Sequence, residues 1–226
     1  VSGYGQFCPV AKGAELFAER WTPLIIRELV CGSRRFGEIR SGCPRIPRSL
    51  LTHRLRSLER AGVVERRAAG RAFEYHLTAS GAELGAAVEA LGAWGYRWAT
   101  AELSDDDLDP AALMWFWRSH LRREGAPADR MVIEVEFTDA RRRFWLVCRG
   151  GDVDLCLRPP GFDPDVTLRG ETLSLVDVYL ARRTLGDAIR SGMLEVEGSR
   201  SAIRDLPQWL RTTSFAQYAH RAPGGP

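Results

Sequence analysis

Lysine is nearly missing from this sequence: Lys12 is the only one among 32 basic residues, so the positive charge is almost wholly arginine. Arginine can fork two N–H groups onto a phosphate or a guanine edge. A GC-rich genome also favours its codons, so the preference alone decides nothing. Long apolar runs are missing too. None approaches the roughly 20 residues that span a bilayer. The opening VSGYGQFCPVAKGAELF has no basic flank followed by an apolar core. No secretory signal is read there, and a cytoplasmic chain with no membrane partner is expected. Cys-x-x-Cys and paired Cys/His spacings are absent. The five cysteines, Cys8, Cys31, Cys43, Cys148 and Cys156, are odd in number and irregularly spaced. That argues against a disulfide framework and against structural zinc. No Ser/His/Asp order, Gly-rich phosphate loop or carboxylate pair stands out. The four histidines are scattered: His53 on a cationic helix, His76 on a strand, His120 and His220 near expected exposed ends. The run SDDDLD lacks the spaced ligands and the glycine of a calcium loop. An enzyme is not expected, nor a cofactor or metal.

What is present is uneven charge. The net +3 over 226 residues conceals it. Residues 1–103 carry 15 basic and 10 acidic side chains, residues 104–226 carry 17 and 19, and the stretch 34–71 carries 11 and 3, a net of +8. A local excess of that size points to a polyanion partner. The break falls at LSDDDLDP, residues 103–110, four aspartates and a proline that read as a solvated connector. The expected class is α+β with two domains: a polyanion-binding domain over 1–103, a linker over 104–110, and an α/β domain over 111–226.

In the first half, AKGAELFAE, TPLIIRELVCG and RRFGEIRSG read as three helices, the second stopped by Gly32. PRSLLTHRLRSLERAG reads as a fourth, with Pro47 suited to its first turn and Gly62 to its end. VVERR and AFEYHLT are two strands joined by AAGR. A last helix over 80–102 carries Leu84, Val88, Leu91, Trp94 and Trp98 along one side. Helices, an Arg-rich helix and a two-stranded ribbon follow in the order of a winged helix-turn-helix. At about 100° per residue, Leu51, Leu55 and Leu58 share one face of the fourth helix. Ser49, His53, Arg56 and Arg60 fall opposite, and Thr52 lies at the edge. Such a face suits a major groove, whose base edges are flanked by phosphates. Arg48, Ser49, Thr52 and His53 are assigned to base edges. Arg34, Arg35, Arg45, Arg56 and Arg60 are assigned to phosphates, with Arg66, Arg67 and Arg71 of the wing reaching the backbone or the adjacent minor groove. The competing reading is a solvated arginine face on an ordinary helix.

These residues resemble the HxlR family of bacterial winged-helix regulators. The matching pieces are CPV at 8–10, RWTPLIIRELVCGSRRFGEIR at 20–40, LLTHRLRSLERAGVVERR at 50–67, FEYHLTASG at 73–81 and LGAWGYRW at 91–98. The resemblance implies operator binding as a homodimer, through the 80–102 helix and the N-terminal helix. It also departs from the family pattern. Pro47 stands at the usual N-cap serine of the reading helix, Ser49 at the usual arginine, and Gly70 and Arg71 where wing prolines are common. Several relatives sense oxidants or electrophiles through a cysteine in the CPV position, which makes Cys8 the redox candidate.

The second half alternates strands with helices. MVIEVEF is a strand, RFWLVCRGGDVDLCLR a hairpin turning at Gly150–Gly151, and PAALMWFWRSHL an apolar helix. DVTLRGETLSLVDVYLARRTLGDAIRSGMLEVEGS, in its strand–helix–helix–strand order and glycine placement, resembles a sterol carrier protein domain. That resemblance implies helices on one sheet and an apolar small-molecule effector. Met114, Trp115, Phe144, Leu146 and Tyr179 are the expected lining, against the plain alternative of an ordinary core. The expected function is a ligand-responsive, sequence-specific transcriptional regulator binding double-stranded operator DNA. The alternatives are a lipid carrier whose winged helix binds protein, and a thiol sensor working through Cys8.

Overall fold

The computed structural model describes residues 3–124, 126–127 and 129–219. The chain divides into two compact units, Val1–Gly92 and Ala93–Pro226. The boundary falls inside a helix, ahead of the aspartate-rich stretch where composition placed it.

The first unit contains α1 (Pro9–Phe17), α2 (Thr22–Val30), α3 (Phe36–Gly42), α4 (Arg48–Arg60), the hairpin β1 (Val64–Ala69) and β2 (Ala72–Leu77), and most of α5 (Ala79–Trp98). Its core is the apolar stripe of α4, Leu51, Leu55 and Leu58, closed against Ile25, Ile26 and Leu29 of α2 and Ile39 of α3. Gly62 ends α4 with φ +71°. There the amide of Val63 donates to Leu58 O and that of Gly62 to Glu59 O, both at 3.0 Å. This left-handed closure satisfies the last carbonyls and turns the chain into β1. β1 runs two residues further than the sequence suggested. Ala69 pairs with Ala72, so the expected AAGR loop shrinks to Gly70 and Arg71, with Gly70 at φ +62°. Thr78 then starts α5, its Oγ1 accepting from the Gly81 amide at 3.2 Å.

A buried carboxylate ties α2 to α3. Glu28 is buried, and its Oε1 accepts from Arg27 Nη2 at 2.9 Å while its Oε2 accepts from Ser33 Oγ at 3.0 Å. Arg27 Nη2 also donates to Gly42 O at 2.7 Å. Gly42 is required by packing: a Cβ there would lie 1.9 Å from Glu28 Cδ.

The second unit takes the last turns of α5, then α6 (Pro110–Glu124), β3 (Met131–Phe137), β4 (Arg142–Arg149), β5 (Asp152–Cys156), β6 (Val166–Gly170), α7 (Thr172–Tyr179), α8 (Leu185–Arg190), β7 (Leu194–Gly198) and α9 (Arg200–Trp209). The strands form one sheet in the order β5-β4-β3-β6-β7, with β3 and β6 parallel and the other neighbours antiparallel. One face is apolar. Ile133, Val135 and Phe137 of β3 and Phe144, Leu146 and Cys148 of β4 pack with Leu113, Met114 and Trp117 of α6 and with Leu175, Ala188 and Leu206 of α7, α8 and α9. The other face carries a ladder of charges across the strands: Arg143 to Glu136 at 3.3 Å, Arg169 to Glu136 at 3.1 Å and Arg169 to Glu195 at 3.4 Å. The aspartate run is more than a connector. Asp107 caps a short 3-10 turn over Asp105–Asp107, accepting from Ser104 N and Oγ. Asp109 Oδ1 accepts from the Ala111 amide at the start of α6.

Gly42→Ala is expected to lower unfolding free energy by about 3 kcal/mol or more, because the added methyl must displace a buried, paired carboxylate. Urea denaturation checks this, and a change below about 1 kcal/mol would show that Glu28 moves aside freely.

Candidate nucleic-acid interface

The face of α4 opposite its leucines is built by burial. Once Leu51, Leu55 and Leu58 are inside, helical geometry forces Ser49, His53, Arg56 and Arg60 outward, and all four are exposed. Arg48, at the first position of the helix, is exposed and stands 5.8 Å from the Phe36 ring centroid. Thr52 is half-buried, and its hydroxyl donates to Arg48 O at 2.9 Å. Pro47 precedes the helix and provides no side-chain cap. His53, Arg56, Glu59 and Arg60 line one shallow hollow. Arg60 is tied back to its own helix through Arg56 O at 3.4 Å and Ser57 Oγ at 3.2 Å, which leaves other N–H groups of the fork for a ligand. Arg45, just before the helix, is also exposed.

The wing continues this surface. Arg66, Arg67 and Arg71 are exposed. Arg66 lies 4.4 Å from the Phe73 ring centroid and 3.7 Å from Glu59, which links the wing to the end of α4. Arg67 pairs with Glu65. Arg35 pairs with Glu74 at 3.7 Å, alongside a single β-bridge to β2. Exposed pairs of this kind are worth about 0–1 kcal/mol, so a phosphate can compete for these arginines.

Arg34 departs from expectation. Its side chain turns inward, and Nη1 donates to Leu29 O at 2.6 Å and Ser33 O at 3.0 Å. The end of α2 leaves carbonyls in need of donors, and Arg34 supplies them. Nη1 is thereby committed to the scaffold, and Arg34 is half-buried where its neighbour Arg35 is exposed. Arg54 is likewise internal, donating to Glu19 Oε2 at 2.5 Å and Arg20 O at 3.2 Å.

In the second unit the expected ligand lining is placed as follows, and one open cleft there is lined by other residues. Met114, Phe144 and Leu146 are solid core. They belong to one buried cluster with residues of the strands and of α6. Trp115 is buried beneath Arg118, 4.6 Å from its ring centroid. Tyr179 is half-buried and stacks on Phe116 at 5.6 Å. The cleft instead lies between the α7–α8 connection and the end of α9. His120, expected near an exposed end, is buried at its edge. His220 lies outside the described residues. His76 sits on β2, 3.3 Å from Glu74.

Cys8 occupies the N-cap position of α1 and is half-buried. Cys43 and Cys148 are buried, and burial pushes their thiols up to about 12 and about 11. Burial also raises the Cys156 thiol, with Asp154 adding to it. Raised thiols are poor nucleophiles. Among the described residues no cluster of metal-ligating side chains occurs, and no helix is long and apolar enough to cross a membrane.

Known proteins share the first unit. The HxlR-like helix-turn-helix family matches residues 16–103. The HTH-type transcriptional regulator YvaP of Bacillus subtilis is 33% identical over 97 residues, which cover 41% of this chain and 90% of that protein. This chain belongs to the HxlR family. The HTH-type regulator Mb3122 of Mycobacterium bovis is 42% identical over 89 residues, 38% of this chain and 56% of its own length. The chain thus spans just over half of that relative. A structure of reduced YodB from Bacillus subtilis, a transcriptional regulator, is 32% identical and covers 43% of this chain and 100% of that one, at a TM-score of 0.37. The HxlR match lies on the unit that carries the cationic face.

Arg34→Ala should cost about 1–3 kcal/mol of stability, because two carbonyls lose a charged donor. Arg56→Ala should stay within about 0.5 kcal/mol. Parallel urea melts of the two variants check the contrast, and equal effects would contradict the inward assignment of Arg34.

Proposed function

We propose that this HxlR-family chain is a homodimeric transcriptional regulator that binds double-stranded operator DNA through α4 and the β1–β2 wing. The observation that carries the reading is the exposed row Arg48, Ser49, His53, Arg56 and Arg60, standing opposite a fully buried leucine stripe. A generic solvated helix would place acids among those arginines. Here Glu59 is the one carboxylate on the described hollow, and Arg66 already answers it. Arg48, Ser49, Thr52 and His53 sit near the N-terminal end that enters a groove most deeply, so they reach base edges. Arg35, Arg45, Arg56, Arg60, Arg66, Arg67 and Arg71 meet phosphates. Arg34, with Nη1 tied to backbone carbonyls, offers only the rest of its fork.

Dimerisation is proposed through α5. Leu91, Trp94 and Trp98 recur on one side of that helix and are 49%, 55% and 60% exposed. Large apolar groups left open in register mark an interaction surface. Phe7 and Val10, around the start of α1, are exposed as well. Two reading helices held about one duplex turn apart, roughly 34 Å, require a near-palindromic site. A small molecule bound in the second unit acts on the operator only through unequal affinity for DNA-competent and incompetent forms. In a second reading Cys8 supplies the signal. It shares half-burial with Cys31 and Cys156 but alone stands at the N-cap of a helix, and loss of the oxidant response in Cys8→Ser would support it.

Arg56→Ala and Arg67→Ala should each weaken duplex binding and flatten the slope of log K against log salt by about 0.9 per lost phosphate contact. Fluorescence anisotropy over a salt series measures both. Unchanged binding in both variants would favour the carrier reading, with the winged helix a protein-binding module. Trp94→Glu should yield monomers by sedimentation velocity and weaken operator binding, and an intact dimer would remove α5 from the interface.

A further inference from the structure

Thr52 is the one threonine of α4, and it stands at the edge of the outward face, about 100° around the helix from Leu51. Its helical neighbours on that face are Arg48 and Ser49 before it and Arg56 after it, at the three- and four-residue spacings that set side chains next to one another. Those three are exposed, and Thr52 itself is half-buried.

The hydroxyl of Thr52 is already used. Its Oγ1 donates to Arg48 O at 2.9 Å, the back-bond that serine and threonine make inside helices. A threonine hydroxyl has a single hydrogen to give. None is left for the N7, O6 and O4 acceptors that purines and thymine show in a major groove. The same bond holds Oγ1 against the backbone of its own helix. The other branch on Cβ is a methyl group, and that is the branch left to meet a ligand.

The surroundings decide what such a methyl can meet. Arg48 and Arg56 are donor-only side chains. Arg48 stands 5.8 Å from the Phe36 ring centroid of α3. Glu59, two turns along the helix, is drawn to Arg66 of the wing at 3.7 Å. Among the groups on base edges in the major groove, the 5-methyl of thymine is the apolar one. It projects at the side of the groove, near the sugar-phosphate chain of its own strand. A residue at the edge of the reading face, one turn from the phosphate-holding Arg56, is placed to touch it.

We propose that Thr52 is a specificity-determining residue that reads the 5-methyl group of a thymine in each half-site, through its own methyl and not through its hydroxyl. The assignment rests on the regulator reading and deepens it from a cationic groove-binding face to a required base. Cytosine lacks the methyl and loses the contact. 5-Methylcytosine restores the methyl but shows an amino donor where thymine shows the O4 acceptor, and the flanking arginines are donors themselves.

The full chain is first used to enrich duplexes from a random-sequence pool. Fluorescence anisotropy then follows the enriched sequence with each thymine of one half-site replaced in turn by deoxyuridine, which removes the methyl alone. One such replacement should weaken binding about threefold to fivefold, the worth of one buried methyl. Thr52→Ser keeps the hydroxyl and drops the methyl, so it should bind the thymine and deoxyuridine duplexes equally, and both as weakly as the parent binds deoxyuridine. Thr52→Val keeps a methyl and drops the hydroxyl, so it should retain the parent's loss. A duplex with 5-methylcytosine opposite guanine at that position should bind the parent more weakly than the thymine duplex does. Deoxyuridine tolerated at every thymine, a loss that persists in Thr52→Ser, a loss that vanishes in Thr52→Val, or tighter binding of the 5-methylcytosine duplex would each overturn the assignment while leaving the regulator reading in place. A pool from which no sequence is enriched overturns both.

Discussion

A carboxylate taken out of water must be paired and fully hydrogen-bonded, or it costs several kcal/mol. Glu28 meets that demand within a few residues: Arg27 beside it, Ser33 past the end of α2, and Gly42 close enough that no side chain fits between. Each partner lies at a junction. Ser33 follows the turn that ends α2, and Gly42 is the last residue of α3, with Arg27 reaching its carbonyl. The angle between α2 and α3 is thereby fixed by groups that cannot be exchanged for water. That fixes where Cys43 and Ile46, both buried, enter the core and therefore where α4 begins. The exposed face of α4 is the last consequence of a polar cluster buried in the turns before it.

The same logic sorts the arginines. Arg27, Arg34 and Arg54 have chemically identical forks to Arg48, Arg56 and Arg60, yet the first three answer carbonyls and carboxylates inside the unit. A guanidinium costs little to place against backbone oxygen at a helix end, because those carbonyls lack partners in any case. The excess of +8 over residues 34–71 thus overstates what a polyanion meets. What remains is concentrated on one helix face and the wing, a more specific arrangement than the composition alone conveys.

Where periodicity encodes burial, the sequence was readable. The leucines of α4 recur at helical spacing and the strands of the second unit alternate, so the elements, the outward row Ser49–His53–Arg56–Arg60 and the sheet were all visible. Arg34 and Arg35 were not separable, because adjacent residues at a β-bridge point opposite ways and no pattern in two letters says which. The cleft was equally hidden. Its lining comes from residues as far apart as His120 and Gln217, and no local pattern links them. Met114 and Phe144 could be read either way, because large apolar groups serve cores and ligand sites alike. In the structure both lie in the buried cluster of the second unit.

α5 shows how the two units depend on one element. Its sequence carries Gly81, Gly85, Gly92 and Gly95, and each glycine inside a helix costs roughly 0.5–1 kcal/mol against alanine. Such a helix is marginal on propensity alone, and tertiary contacts must make up the difference. They come at both ends: Leu84 and Val88 pack on the core of the first unit, while in the second unit Ala93 is buried and the Tyr96 hydroxyl donates to Leu180 O at 2.5 Å. A helix too weak to stand by itself is sensitive to the order of whatever holds it. The residues that expose Leu91, Trp94 and Trp98 in register are therefore kept helical by packing on each side of the unit boundary. Loosening either end removes the register on which the proposed pairing of two copies through this helix depends.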